Sequence, residues 1–201
     1  MLEEVKRSSG LSVGALAERL GLSYMGVKAQ CLALEKSGHL TSRNTHGGTG
    51  RPHLVYRLTQ RGQEVFSTGN NRLAIGLLRE AQVLYGATAA GKLLFLEFQR
   101  RLVGYAEQLA GVEDPGARLA ALAGIREEEG CMARVEGGKL IEAHCPLREV
   151  FEVFPQAAEM EETLVSKALG WHVRRRVESV GDHYQTRFEA APSDAGGPRQ
   201  E

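Results

Sequence analysis

Residues 11–40, LSVGALAERLGLSYMGVKAQCLALEKSGHL, run straight into residues 41–59, TSRNTHGGTGRPHLVYRLT, and the reading of this stretch decides the fold. Ser12 stands where a helix N-cap is needed, its hydroxyl able to accept from a free backbone N–H of the first turn. Val13, Leu16, Ala17 and Leu20 recur at helical spacing and form one apolar face. Gly21 can take the positive φ that ends a helix, and Leu22 is expected to plug the turn. Ser23 offers a second N-cap. Val27, Cys31 and Leu34 repeat at i, i+4 and i+7, which predicts a core-facing stripe with Cys31 as a small hydrophobe. Gly38 stops the second helix and Leu40 starts a strand. Asn44 to Gly50 holds three glycines and no apolar residue, so it reads as a loop tip. Pro52 fixes the exit, and Leu54, Tyr56 and Leu58 alternate with Val55 and Arg57 as in a half-exposed strand.

Two short helices around a tight turn, followed by a hairpin, make a winged helix-turn-helix. That arrangement presents its second helix to the major groove of double-stranded DNA. Ser23, Tyr24, Met25, Lys28 and Ala29 fall on the outer side near the start of that helix, where bases and phosphates are met. Arg43, His46, Arg51 and His53 surround the wing. Arg51 is the strongest candidate for a phosphate or minor-groove contact, because its charge is permanent and its guanidinium donates two bonds at once.

The charge distribution agrees. The chain is neutral, with 25 basic and 25 acidic residues among 201. Residues 1–66 carry nine Lys or Arg against five Asp or Glu, and residues 67–201 carry sixteen against twenty. A basic N-terminal part on an acidic remainder suits a protein that meets phosphates with one end, and two copies would supply adequate charge. Its 201 residues suffice for two small domains, and 42% apolar with 25% charged residues is ordinary for a globular protein. No apolar run approaches the length of a membrane span, and Met-Leu-Glu-Glu lacks the basic start of a secretory signal. Three scattered cysteines make no disulfide framework and fit a reducing compartment, so the expected location is the cytoplasm.

Two apolar helices are expected next, over 71–85 and 89–109. Their leucines spread over more than one narrow stripe, which predicts burial against a second copy in a homodimer. The alternative is burial beneath the chain's own C-terminal part. Asp114-Pro115 then breaks the chain before a third helix, 117–129. Strands are expected over 130–136 and 139–143, joined at Gly137-Gly138. Helices follow over 146–154 and 156–169, bent at Pro155, and then strands over 171–180 and 184–190, joined at Gly181-Asp182. The fold class is therefore mainly α with an α+β C-terminal domain of helix–hairpin–helix–hairpin order. The expected division is 1–67 DNA-binding, 68–112 linker and dimerisation, 113–191 sensor-like, and 192–201 a disordered tail.

The phrase GRPxxxYxLT after a winged helix, followed by EEEGCMARVE, LIEAHCPLREVFEVFP and GDHYQTRFEA, resembles the SufR-like group of bacterial transcriptional regulators, related to the ArsR and DeoR types. The resemblance covers nearly the whole chain. It implies a dimeric repressor whose C-terminal domain holds an iron–sulfur cluster on three cysteines. The first of these corresponds to Cys145. The place of the second reads Gln156, Ala157, Ala158, and that of the third reads His183, Tyr184, Gln185. Two of three thiolates are missing, so no cluster is expected, and no other cofactor or metal. A mixed site of Cys145, His144 and His183 is the remaining metal alternative.

The other residues carry plain readings. Cys131 is expected buried, and His172 exposed. Arg174, Arg175 and Arg176 are expected on a solvated edge strand, and Glu127, Glu128 and Glu129 solvated at a helix end. No nucleophile elbow, phosphate-binding loop or dinucleotide fingerprint is present, so no enzyme is expected. Two alternatives stand beside the DNA-binding regulator. One is a regulator responding to a small-molecule effector or to redox change at Cys145. The other is an adaptor whose winged helix binds a protein.

Overall fold

The computed structural model describes residues 1–8, 10–45, 53–66, 70–180 and 183–191, with only the backbone described at Thr45, His53, Asn70, Val180 and His183. The tail 192–201 and the Gly181-Asp182 turn lie outside these residues.

The N-terminal unit begins with α1 (Leu2–Lys6) and β1 (Leu11–Ser12), neither of which the sequence reading anticipates. The helix pair α2 (Val13–Leu20) and α3 (Tyr24–Lys36) follows. Ser12 caps α2 by accepting from the amide of Ala15 at 3.3 Å, and Ser23 caps α3 by accepting from Gly26 at 3.2 Å. Gly21 ends α2 at φ 63°, where a side chain would be strained. β2 (Leu40–Thr45) and β3 (His53–Leu58) pair antiparallel, Leu40 opposite Leu58 and Thr45 opposite His53. β1 pairs with the other edge of β3, so the strand order is β1-β3-β2. A short α4 (Gln60–Glu64) closes the unit, capped by Thr59.

Val5, Leu16, Val27, Cys31, Leu40, Tyr56 and Leu58 form its core. Two details depart from the sequence reading. Leu22 is half exposed and plugs nothing. On β3 the alternation slips, with Leu54 outside and Val55 buried, the Val55 side chain lying close against Gly10.

The second unit holds α5 (Asn70–Tyr85), α6 (Ala89–Gln108), α7 (Pro115–Glu128), β4 (Ala133–Glu136), β5 (Lys139–Glu142), α8 (Arg148–Val153), α9 (Gln156–Leu169), β6 (Val173–Val180) and β7 (His183–Ala190). Asp114 caps α7 through the amide of Ala117, with Pro115 at the first helical position. Gly137 and Gly138 both have positive φ, the geometry of a tight two-residue hairpin. The two hairpins join edge to edge through β5 and β7, giving the antiparallel order β4-β5-β7-β6. One face of this sheet packs on α7, α8 and α9, and α6 adds Leu94, Phe98, Tyr105 and Leu109 to the same core. Segment 68–112 thus contributes to the core that follows it, α5 adding Ile75 and Leu78 at its margin.

The other side of α5 and α6 is bare. Leu73, Leu77, Val83, Leu84 and Tyr85 on α5, and Leu93, Phe95, Leu96 and Val103 on α6, are exposed. Among the described residues no helix is long and apolar enough to cross a membrane.

A charged network crosses the second core. Arg126, buried, donates to Glu142 at 2.6 and 3.0 Å, to Glu161 at 2.6 Å and to Glu129 at 3.1 Å. Arg175 donates to the other oxygen of Glu161 at 2.8 Å. Two solvated readings are therefore corrected. Arg175 turns inward from the edge strand to neutralise Glu161, while Arg174 and Arg176 stay exposed. Of the three acids at the end of α7 only Glu128 is exposed. Glu129 joins the network, and Glu127 is bonded by Arg7. His172 is exposed and Cys131 buried, as expected.

Candidate nucleic-acid face and sensor cavity

The outer side of α3 is built by its cap and its core stripe. With Val27 and Cys31 buried, Tyr24, Met25, Lys28 and Ala29 all face solvent, next to the exposed Ser23. Ser23 spends its side chain on the cap. The N-terminal end of α3 also presents the unpaired amides and positive pole of a helix. Arg43 lies exposed on β2, its Cα opposite that of Val55. His46 and Arg51 lie outside the described residues, and His53 is placed only by its backbone. Tyr24, Met25, Lys28 and Ala29 therefore share one surface with Ser23, and Arg43 marks the root of the wing. Apolar Leu22 and Leu32 are half exposed on the same helix pair.

α1 joins the two units, a role the sequence reading missed. Val5 packs in the N-terminal core while its neighbour Lys6 is fully buried. The Lys6 ammonium donates to Gln63 Oε1 and stands 4.0 Å from the centre of the Tyr184 ring, on β7. Among the described residues it forms no ion pair. Burial, with Arg148 nearby, lowers its pKa to about 7. Arg7 grips Glu127 at the end of α7 with two bonds, at 2.5 and 3.2 Å. Glu127, held by Arg7, sits below the usual carboxylate range.

Cys145 lies beside this seam. Its amide donates to the Tyr184 hydroxyl at 3.4 Å, and that hydroxyl is 3.3 Å from His144 Nδ1. Burial pushes the Cys145 thiol up to about 12 and His144 down to about 4, so both are neutral at pH 7. A cavity of about 330 Å³ opens between α8, α9, β6 and β7. Cys145, Ala158 and Tyr184 all line it, together with Arg148 and Arg175. The three positions that the resemblance assigns to cluster ligands are thus brought to one cavity, 26 residues apart in sequence or 13. Their chemistry does not fit a thiolate-held cluster. Ala158 has no donor atom, Ala157 is buried in the core, Tyr184 is engaged by Cys145 and His144, and the one thiol is held protonated. The His183 side chain lies outside the described residues. Among the described residues, no three His, Cys, Asp or Glu side chains converge as a metal site.

No protein-family model matches the chain, and no curated protein or solved structure matches it either.

Proposed function

We propose that this chain is a DNA-binding transcriptional regulator acting as a homodimer. The observation that carries the reading is the capped α3, whose N-terminal end presents Tyr24, Met25, Lys28 and Ala29 to solvent on a helix-turn-helix followed by a strand pair. Two copies would place two such helices in successive major grooves, with Arg43 and Arg51 at the flanking backbone. The exposed apolar side of α5 and α6 supports the dimer. On this reading the chain falls with the SufR-like regulators it resembles and works without an iron–sulfur cluster.

Genome-wide capture of DNA bound to this protein, with motif extraction, tests the reading. A two-fold symmetric motif supports it. Capture of no enriched sequence, with Lys28→Ala and Arg51→Ala binding duplex as well as the parent, removes it.

The adaptor reading draws on one specific observation. Leu22, Tyr24, Met25 and Leu32 are exposed on the helix pair, and Lys28 is the only fixed cation on the outer face of α3's first two turns. Binding to DNA that does not weaken with salt, alongside tight capture of a protein through these four residues, would favour it.

A further inference from the structure

We propose that the cavity between α8, α9, β6 and β7 is a binding site for a small organic carboxylate with an apolar body. The cavity holds about 330 Å³, within the range of small-molecule sites. Phe151, Pro155, Ala158 and Val177 supply its apolar wall. Its polar groups are mostly donors. Arg148 and Arg175 line it with the hydroxyl-bearing Tyr184 and Thr186, and Glu152 is the one carboxylate on its wall.

Both guanidiniums are aimed by their Nε atoms. Arg148 Nε donates to Glu152 at 2.9 Å, and Arg175 Nε donates to Glu161 at 2.8 Å. Among the described residues the terminal amino groups of Arg175 make no hydrogen bond, so its outer edge is left for an occupant. A guanidinium edge matches the two oxygens of a carboxylate. Aromatic faces back both cations, Arg148 lying 4.3 Å from the Tyr184 ring centre and Arg175 5.1 Å from that of Phe151. Lys6 lies on the same ring, 4.0 Å from its centre. Because Tyr184 touches both the cavity and Lys6, an occupant lies one side chain from the N-terminal unit. Its role as an effector rests on the regulator reading, whereas the binding does not.

Calorimetric titration of the full chain tests the site with acetate, hexanoate and benzoate, each beside its amide. The expected result is saturable binding of hexanoate or benzoate at one per chain, at least tenfold tighter than the matching amide. Ala158→Leu narrows the cavity without touching a charge and is expected to weaken that binding at least tenfold, while circular dichroism confirms its fold. Arg175→Lys keeps the partner of Glu161 but loses the fork, and is expected to narrow the preference over the amide. No carboxylate binding, equal binding of acid and amide, or binding undiminished in a folded Ala158→Leu variant overturns the proposal. So does anaerobically prepared protein that carries near-stoichiometric iron and sulfide bleached by Cys145→Ala. The titrations need no DNA, so their failure leaves the DNA-capture result standing, and failure of capture leaves the site standing.

Discussion

Replacing Lys6 by Met isolates the cost of burying an ammonium at the seam between the two units. Methionine keeps the length and the apolar stem of lysine and removes the charge. Lys6 goes from 10.5 in an unfolded chain to about 7 in the fold. Its folded pKa is depressed, so the fold is penalised wherever the unfolded chain holds the proton more readily. The penalty is absent above about pH 10.5, grows as the pH falls, and is complete below about pH 7. The full difference is about 5 kcal/mol, at 1.36 kcal/mol for each unit. Between pH 7.5 and 9.5 the linkage integral gives the parent a gain of about 2.5 kcal/mol from this group.

Buried thiols act in the opposite sense. Burial raises Cys31, Cys131 and Cys145 above their ordinary 9.0, so each costs stability as the pH climbs past about 9. All three are present in both proteins, and the difference between the two stability curves cancels them. Urea titrations at fixed protein concentration, repeated across pH 7.5 to 9.5, supply those curves. Lys6→Met is expected to be the more stable protein at pH 7.5, with its advantage shrinking by about 2.5 kcal/mol at pH 9.5. Parallel curves across this window would refute the reasoning and show that Lys6 keeps its proton in the fold.

Three further outcomes are expected. Arg126→Met leaves Glu142 and Glu161 buried with one cation fewer, and should cost about 3–5 kcal/mol in urea unfolding; a loss under about 1 kcal/mol would mean that the network relaxes into solvent. Lys28→Ala should weaken duplex binding and lower the slope of log affinity against log salt by about one per chain, measured by anisotropy at several salt concentrations. Leu84→Glu places a charge in the bare face of α5 and should convert a dimer to a monomer in light scattering; a parent that is already monomeric at micromolar concentration would remove the proposed interface.

The parts legible in the sequence are those governed by local chemistry. Ser12, Ser23, Gly21, Asp114-Pro115 and Gly137-Gly138 each act within a few residues, and each does in the structure what its type and place predict. Every expected helix and strand from 71 to 190 is present, with bounds shifted by up to three residues. What escaped depends on distant partners. β1 exists only because β3 offers it an edge. Glu127 and Arg175 read as solvated because charged residues usually are, and no pattern marks Lys6 or Arg7; all four are engaged by partners distant in sequence, Arg7 and Glu127 lying 120 residues apart. On the outer side of α3, Tyr24, Met25, Lys28 and Ala29 were readable because helical period alone puts them opposite Val27 and Cys31. The cavity was not, since its walls come from four elements.

The two units meet through Lys6 at the end of α1 and Arg7 just after it, which reach across to Tyr184 and Glu127, and through Phe66, whose ring lies against that of His144. Val5 meanwhile sits in the core of the first unit. The first seven residues of the chain are therefore a seam between two cores, and a substitution at Lys6 or Arg7 is felt on both sides of it.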